Sequence, residues 1–187
     1  MASIQLSNKS TMTMTNGTLK SNVKFGNGWV NGAIQINSGT TFNLSGGSIE
    51  ARNVNTPNNS YMAGVRNGGV FTMTGGTIVS DNYAVNTSGT FTLTGGTING
   101  TNAGITTSGT TNITDGTIQS NKYGLSVSGG TTTLGTNNEE INITRPEITG
   151  ELYGLYISSG NLNFYDGLLI GKTNAYYGPI NLISDGT

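Results

Sequence analysis

Residues 71–85 read FTMTGGTIVSDNYAV, and residues 91–105 read FTLTGGTINGTNAGI. The second line repeats the first 20 residues on, so the chain is written in copies of one unit. Strict alternation in Phe71-Thr72-Met73-Thr74 sends Phe71 and Met73 to one face of a strand and both threonines to the other. Gly75-Gly76 reaches positive φ without a Cβ penalty and turns the chain sharply. Ile78 then points inward again, and Val85 does so on the next strand. Four inward apolar residues cannot make a core alone. Stacked copies can, with backbone hydrogen bonds joining rungs about 4.8 Å apart.

The same line runs through most of the chain. It appears as MTMTNGTL from Met12, FNLSGGSI from Phe42, TNITDGTI from Thr111, INITRPEI from Ile141 and LNFYDGLL from Leu162, with a degraded copy near Ile180. A second strand motif follows as GAI at Gly32, AGV at Ala63, YAV at Tyr83, AGI at Ala103, and YGL at Tyr123 and Tyr153. A unit of about 20 residues therefore carries insertions in three copies. The pattern predicts corner loops at 20–31 and 50–62, an insertion at 129–140, and a lead-in over 1–11. The predicted fold is all-β: one parallel β-solenoid domain over 1–187, with about seven to eight rungs and a length of roughly 35 Å.

Composition excludes several function classes. Of 187 residues only 9% are charged and the net charge is −1, which offers no basic face to nucleic acid and no electrostatic hold on a membrane. Cysteine and histidine are absent, which removes disulfides, thiolate or imidazole metal sites and histidine acid/base chemistry. No apolar run is long enough to insert in a membrane. No cofactor is implied, since phosphate-binding and dinucleotide fingerprints are missing. The start MASIQLSNKS has no secretory pattern, which suggests a cut-out piece, a removed signal or another export route.

These repeats resemble the right-handed parallel β-helix superfamily of pectate-lyase-like folds. The F-T-[ML]-T-G-G-T-I lines are similar to repeats of adhesin-like surface proteins of gut bacteria and archaea. Right-handedness follows from the resemblance and from the general crossover rule. The strand motif starts after eleven residues and the final INLISDGT stops inside a rung. That predicts either a fragment of a longer solenoid or ends that pack on other copies, as a trimer or an end-to-end stack.

Four groups of residues are candidate sites. Asp115, Arg145 and Asp166 fall at one position of three successive units. The resembled pectate-lyase and polygalacturonase enzymes place Asp clusters with a basic residue on such a face, and paired carboxylates can serve as acid and base. An alternating charge ladder that only neutralises itself has the same pattern. Tyr123 and Tyr153 share a column with Tyr83, and Tyr156, Tyr165 and Tyr177 lie to the same side. Aromatic rings with a polar tip suit sugars and protein partners. Tyr83, Tyr123 and Tyr153 have the parity of inward Val85 and Leu155, which would make them corner filler, whereas Tyr156 has the opposite parity and faces out. Outward T-x-T pairs, as at Thr13/Thr15 and Thr72/Thr74, form flat ladders of the kind that can match ice, interrupted by Asn43/Ser45, Asn112, Asn142 and Asn163/Tyr165. The corner loops bring Lys24, Trp29, Arg52 and Arg66 to a variable surface.

Together these features predict a non-catalytic extracellular, cell-surface or virion rod that binds glycans or protein surfaces. A self-assembling fibre subunit, a polysaccharide lyase or hydrolase, and an ice binder are the alternatives.

Overall fold

In the computed structural model, residues 4–23, 32–53, 62–136 and 145–179 are described. Strands β1 (Ile4–Leu6), β2 (Thr11–Met14) and β3 (Thr18–Val23) make the first turn of the chain. β4 (Ile34–Ile36), β5 (Thr41–Leu44) and β6 (Ser48–Asn53) make the second, and β7 (Ala63–Asn67), β8 (Val70–Met73) and β9 (Thr77–Ser80) the third. β10 (Tyr83–Thr87) and β11 (Thr90–Gly100) make the fourth, and β12 (Ala103–Thr107) and β13 (Thr110–Ser120) the fifth. The sixth holds β14 (Tyr123–Leu134) and β15 (Glu147–Gly150), the seventh β16 (Tyr153–Phe164) and β17 (Leu168–Gly171), and β18 (Asn174–Tyr177) follows. Each strand pairs in parallel with its counterpart one turn on, as Phe42 with Phe71 and Phe71 with Phe91. The result is the expected parallel β-solenoid. Three ladders run along it: sheet 1 through β1, β4, β7 and β10, sheet 2 through β2, β5 and β8, and sheet 3 through β3, β6 and β9. The longer strands β11, β13, β14 and β16 each pass through a corner and serve two ladders.

The core follows the alternation. Phe71, Met73, Ile78 and Val85 are fully buried, as expected, and so are their counterparts Phe91, Leu93, Ile98 and Ile105. Phe42, Phe71 and Phe91 stack on one another, with centroids 5.3 and 4.8 Å apart. The turn from sheet 2 to sheet 3 depends on glycine. Gly17, Gly47, Gly76, Gly96 and Gly116 hold one register there with φ between +83° and +106°, a region that costs other L-residues strain.

The interior also carries polar rungs. Asn67 Nδ2 donates to Thr87 Oγ1 at 3.0 Å and to the Thr90 carbonyl at 2.8 Å. One turn further, the Thr107 and Thr111 hydroxyls share a hydrogen bond of 2.7 Å. In the next turn Val127 replaces Thr107 in register, and the buried Thr132 hydroxyl is left without a partner.

Three boundaries differ from those read in sequence. The described part of the lead-in, residues 4–11, contains β1 and the first residue of β2 and so belongs to the array. The predicted loops 20–31 and 50–62 begin as strand: Lys20 pairs with Glu50 and Ser21 with Ala51 in the β3–β6 ladder, and Met62 is buried. What lies between, at 24–31 and 54–61, is outside the described residues. The insertion 129–140 is displaced, because Thr131–Leu134 completes β14 and pairs with both Thr110–Ile113 and Asn161–Phe164. TTTL, not INIT, therefore supplies the sixth strand of sheet 2. Both segments alternate, so periodicity alone could not choose between them. INIT, including Asn142, lies outside the described residues, as do Glu139, Glu140 and the copy near Ile180.

Candidate functional site

The tyrosines meet on sheet 1. The chain bends as it enters this sheet, so two consecutive residues face inward: Ala84 with Val85, Gly124 with Leu125, and Gly154 with Leu155 are all buried. Space limits the first of each pair. A Cβ on Gly124 would lie 2.6 Å from Ile148 Cγ2, and one on Gly104 would lie 2.4 Å from Ile118 Cγ2. This bend breaks the parity argument. Tyr83, Tyr123 and Tyr153 precede the bend and are half-buried; Tyr123 and Tyr153 lean onto the outer surface rather than filling the core.

There Tyr123 and Tyr153 join Tyr156 and Tyr177. Tyr123 pairs in register with Tyr153, and Tyr156 with Tyr177. The ring of Tyr123 lies 4.9 Å from that of Tyr156 and 6.0 Å from that of Tyr153. Tyr177 lies 5.2 Å from Tyr153 and 5.6 Å from Tyr156, and planes within these pairs differ by 3–22°. Such offset stacks are each worth about 0.5–1.5 kcal/mol beyond area burial. Lys122 Nζ sits 4.9 Å from the centre of the Tyr123 ring, a cation–π contact that sequence reading missed. Its only signal was adjacency to Tyr123. Near-parallel stacking spends most ring faces in this slab on one another, which leaves ring edges and phenol groups as what it can offer a ligand. Tyr177, 52% exposed, leaves the most ring surface free.

The other candidate residues are not part of this slab. Tyr165 stands at the corner between sheets 2 and 3, where its N–H donates to the Leu134 carbonyl. Arg66 shares the Tyr156 column through Asn86, Thr106 and Ser126, which sets it four rungs away, about 19 Å. Arg52 is held in an ion pair with Asp81 at 2.9 Å. Similar cross-rung pairs join Lys20 to Glu50 at 3.0 Å and Lys172 to Glu151. Trp29 and Lys24 lie outside the described residues.

Asp115, Arg145 and Asp166 each stand two residues before the paired Thr117, Glu147 and Leu168, but the backbone that lies against Asp166 is that of Gly135, not Arg145. Each carboxylate nevertheless serves its own turn: Gly116 N–H donates to Asp115 Oδ1 and Gly167 N–H to Asp166 Oδ1, both at 2.7 Å. Asn16 does the same for Gly17 at 2.8 Å, in the same position of the first copy. Arg145 is exposed and forms no ion pair with either aspartate. The two carboxylates stand two rungs apart, about 10 Å between Cα atoms.

Comparison with protein-family models, curated proteins and solved structures finds no match to this chain.

Proposed function

We propose that this chain is a non-catalytic structural and binding module, an adhesin-like rod working outside the cell that contacts glycans or protein partners side-on. The observation that carries this reading is the four-tyrosine slab on a rigid sheet, with Tyr177 half-exposed at its edge. Tyrosine offers large contact area with little conformational entropy to lose. Phenol hydroxyls suit the donors and acceptors of a sugar, and the exposed part of Tyr177 suits its C–H face. With few charges, binding should be insensitive to salt. On a glycan array, the wild-type chain is expected to bind a limited set of sugars. The double variant Tyr156→Ser/Tyr177→Ser should bind them at least about tenfold more weakly, as for tyrosine hot spots. Tyr156→Phe/Tyr177→Phe separates stacking from hydrogen bonding. Unchanged affinity in the serine variant, or no glycan bound by wild type, would remove the slab as a glycan site.

Sheet 2 supports a second reading, ice binding. Thr131–Leu134 makes its outer face more regular than the sequence suggested, because Thr133 takes the place assigned to Asn142. One outward column runs Thr11, Thr41, Val70, Thr90, Thr110 and Thr131, β-branched on six successive rungs before Asn161 takes the seventh. No charged residue stands in it or in the neighbouring column of Thr13, Asn43, Thr72, Thr92, Asn112, Thr133 and Asn163, where asparagine still takes three of the seven places. Rungs about 4.8 Å apart and alternate residues about 6.7 Å apart along a strand give the face two fixed repeats, the regularity that a match to a crystal lattice requires. Thermal hysteresis is the expected signal, and Thr92→Lys should abolish it by setting a hydrated charge mid-face. A wild-type chain that neither shapes ice nor shows hysteresis ends this reading.

A further inference from the structure

We propose that Asn16 is a site of spontaneous deamidation, and that the fold protects the chemically identical Asn-Gly pairs at Asn67 and Asn99. The sequence holds five Asn-Gly pairs, of which Asn16-Gly17, Asn67-Gly68 and Asn99-Gly100 lie wholly among the described residues. In this reaction the amide nitrogen of the glycine loses its proton to base and attacks Cγ of the asparagine. A nitrogen–carbon bond forms, the bond from Cγ to the side-chain amide nitrogen breaks, and ammonia leaves. Water then opens the five-membered succinimide to aspartate or isoaspartate. The step needs a glycine nitrogen that is free of the sheet ladders, a side-chain amide beside it, and room for the ring.

Asn16 meets all three conditions. It is exposed, and it sits between the ends of β2 and β3. Its Oδ1 accepts from Gly17 N at 2.8 Å, which sets Cγ beside the attacking nitrogen. Gly17 has φ +87°, and beyond its two chain neighbours no residue has an atom within 4 Å of where a Cβ would stand. Asn67 fails, because Gly68 N–H donates to the Ile36 carbonyl at 2.8 Å and the Asn67 amide is buried and held by Thr87, Thr90 and Gly69. Asn99 fails for another reason. It is exposed, but Gly100 is a buried member of β11 that pairs with Ser80 on one side and Ser120 on the other. Closing the ring there would break a ladder on both flanks. Exposure therefore does not separate Asn16 from Asn99; the backbone does.

The products differ in their fit. Aspartate at 16 restores the turn already made by Asp115 and Asp166, whose carboxylates accept the same N–H. Isoaspartate adds a backbone atom at a corner where Ser48 N–H donates to the Gly17 carbonyl at 2.8 Å, so it should loosen the contact between the first two turns. The site would give an ageing chain an added negative charge and a weakened contact between these two turns.

The test is peptide mapping by mass spectrometry on the purified folded chain aged at mildly alkaline pH. The tryptic peptide Ser10–Lys20 holds Asn16 as its one asparagine. It is expected to convert at least about tenfold faster than Asn67 and Asn99, since only Asn16 is held near an attack geometry. In concentrated urea the three rates should converge. Asn16→Gln should remove conversion from that peptide, and Asn16→Asp should melt with wild type. Equal rates at the three positions in the folded chain, or a faster rate at Asn99, would overturn the proposal. A destabilised Asn16→Asp would overturn the assignment of the aspartate product to the Asp115 turn.

Discussion

Phe71→Ala is expected to destabilise the chain by about 3–5 kcal/mol, the usual cost of emptying a buried phenylalanine site. Phe71 is fully buried between Phe42 and Phe91, with ring centroids 5.3 and 4.8 Å away. Its loss opens a cavity and breaks two stacks in one step. Because each turn of a solenoid is held chiefly by its neighbours, the damage should separate the turns on either side. Urea unfolding should then show a lower midpoint and a broadened or split transition. Phe71→Leu, which keeps most of the volume, should cost less than half as much. A loss below about 1 kcal/mol for Phe71→Ala would contradict the stack, given the size of the group removed.

Asn67→Leu should cost about 2–4 kcal/mol although it makes the interior more apolar. Ile36 occupies the same register one turn earlier, and Val127 and Ile157 occupy it later, so leucine suits the position in shape. The polar groups around it decide the sign. Asn67 Oδ1 accepts from Gly69 N at 3.0 Å, and its Nδ2 reaches Thr87 Oγ1 and the Thr90 carbonyl. Removing the amide leaves the buried Thr87 hydroxyl and the part-buried Thr90 carbonyl and Gly69 N–H without it, and unmade buried bonds cost about 1–3 kcal/mol each. Denaturant titration gives the stability, and hydrogen exchange should show the Gly69 amide less protected. A variant as stable as wild type would mean that water or neighbours take over those bonds.

Much of the architecture was legible because a solenoid is local and repetitive. Alternation in Phe71–Thr74 told inside from outside, and the glycines after it marked the corner, because only glycine takes that φ cheaply. Burial of Phe71, Met73, Ile78 and Val85 follows directly. Where two segments alternate equally well, the pattern had no means of choosing. TTTL and INIT compete for one place in sheet 2, and only pairing with Thr110–Ile113 shows that TTTL takes it.

The candidate sites were legible as residues but not as constellations. Asp115 and Asp166 were found in register, yet their use as turn acceptors depends on side-chain direction. The tyrosines were found by spacing, yet parity sent Tyr123 and Tyr153 to the wrong side, because the chain bends where Gly124 and Gly154 follow them. The sequence by itself determined the repeat, the two strand motifs of its regular copies and the apolar residues of their core, since these depend on neighbours a few residues away. The tertiary structure alone decided which strand fills the sixth place, which rings touch, and which Asn-Gly pair is free to react. Each of these depends on residues 20 or 30 positions away brought into register one rung apart, and a linear pattern carries no record of that register once insertions vary the length of the turn.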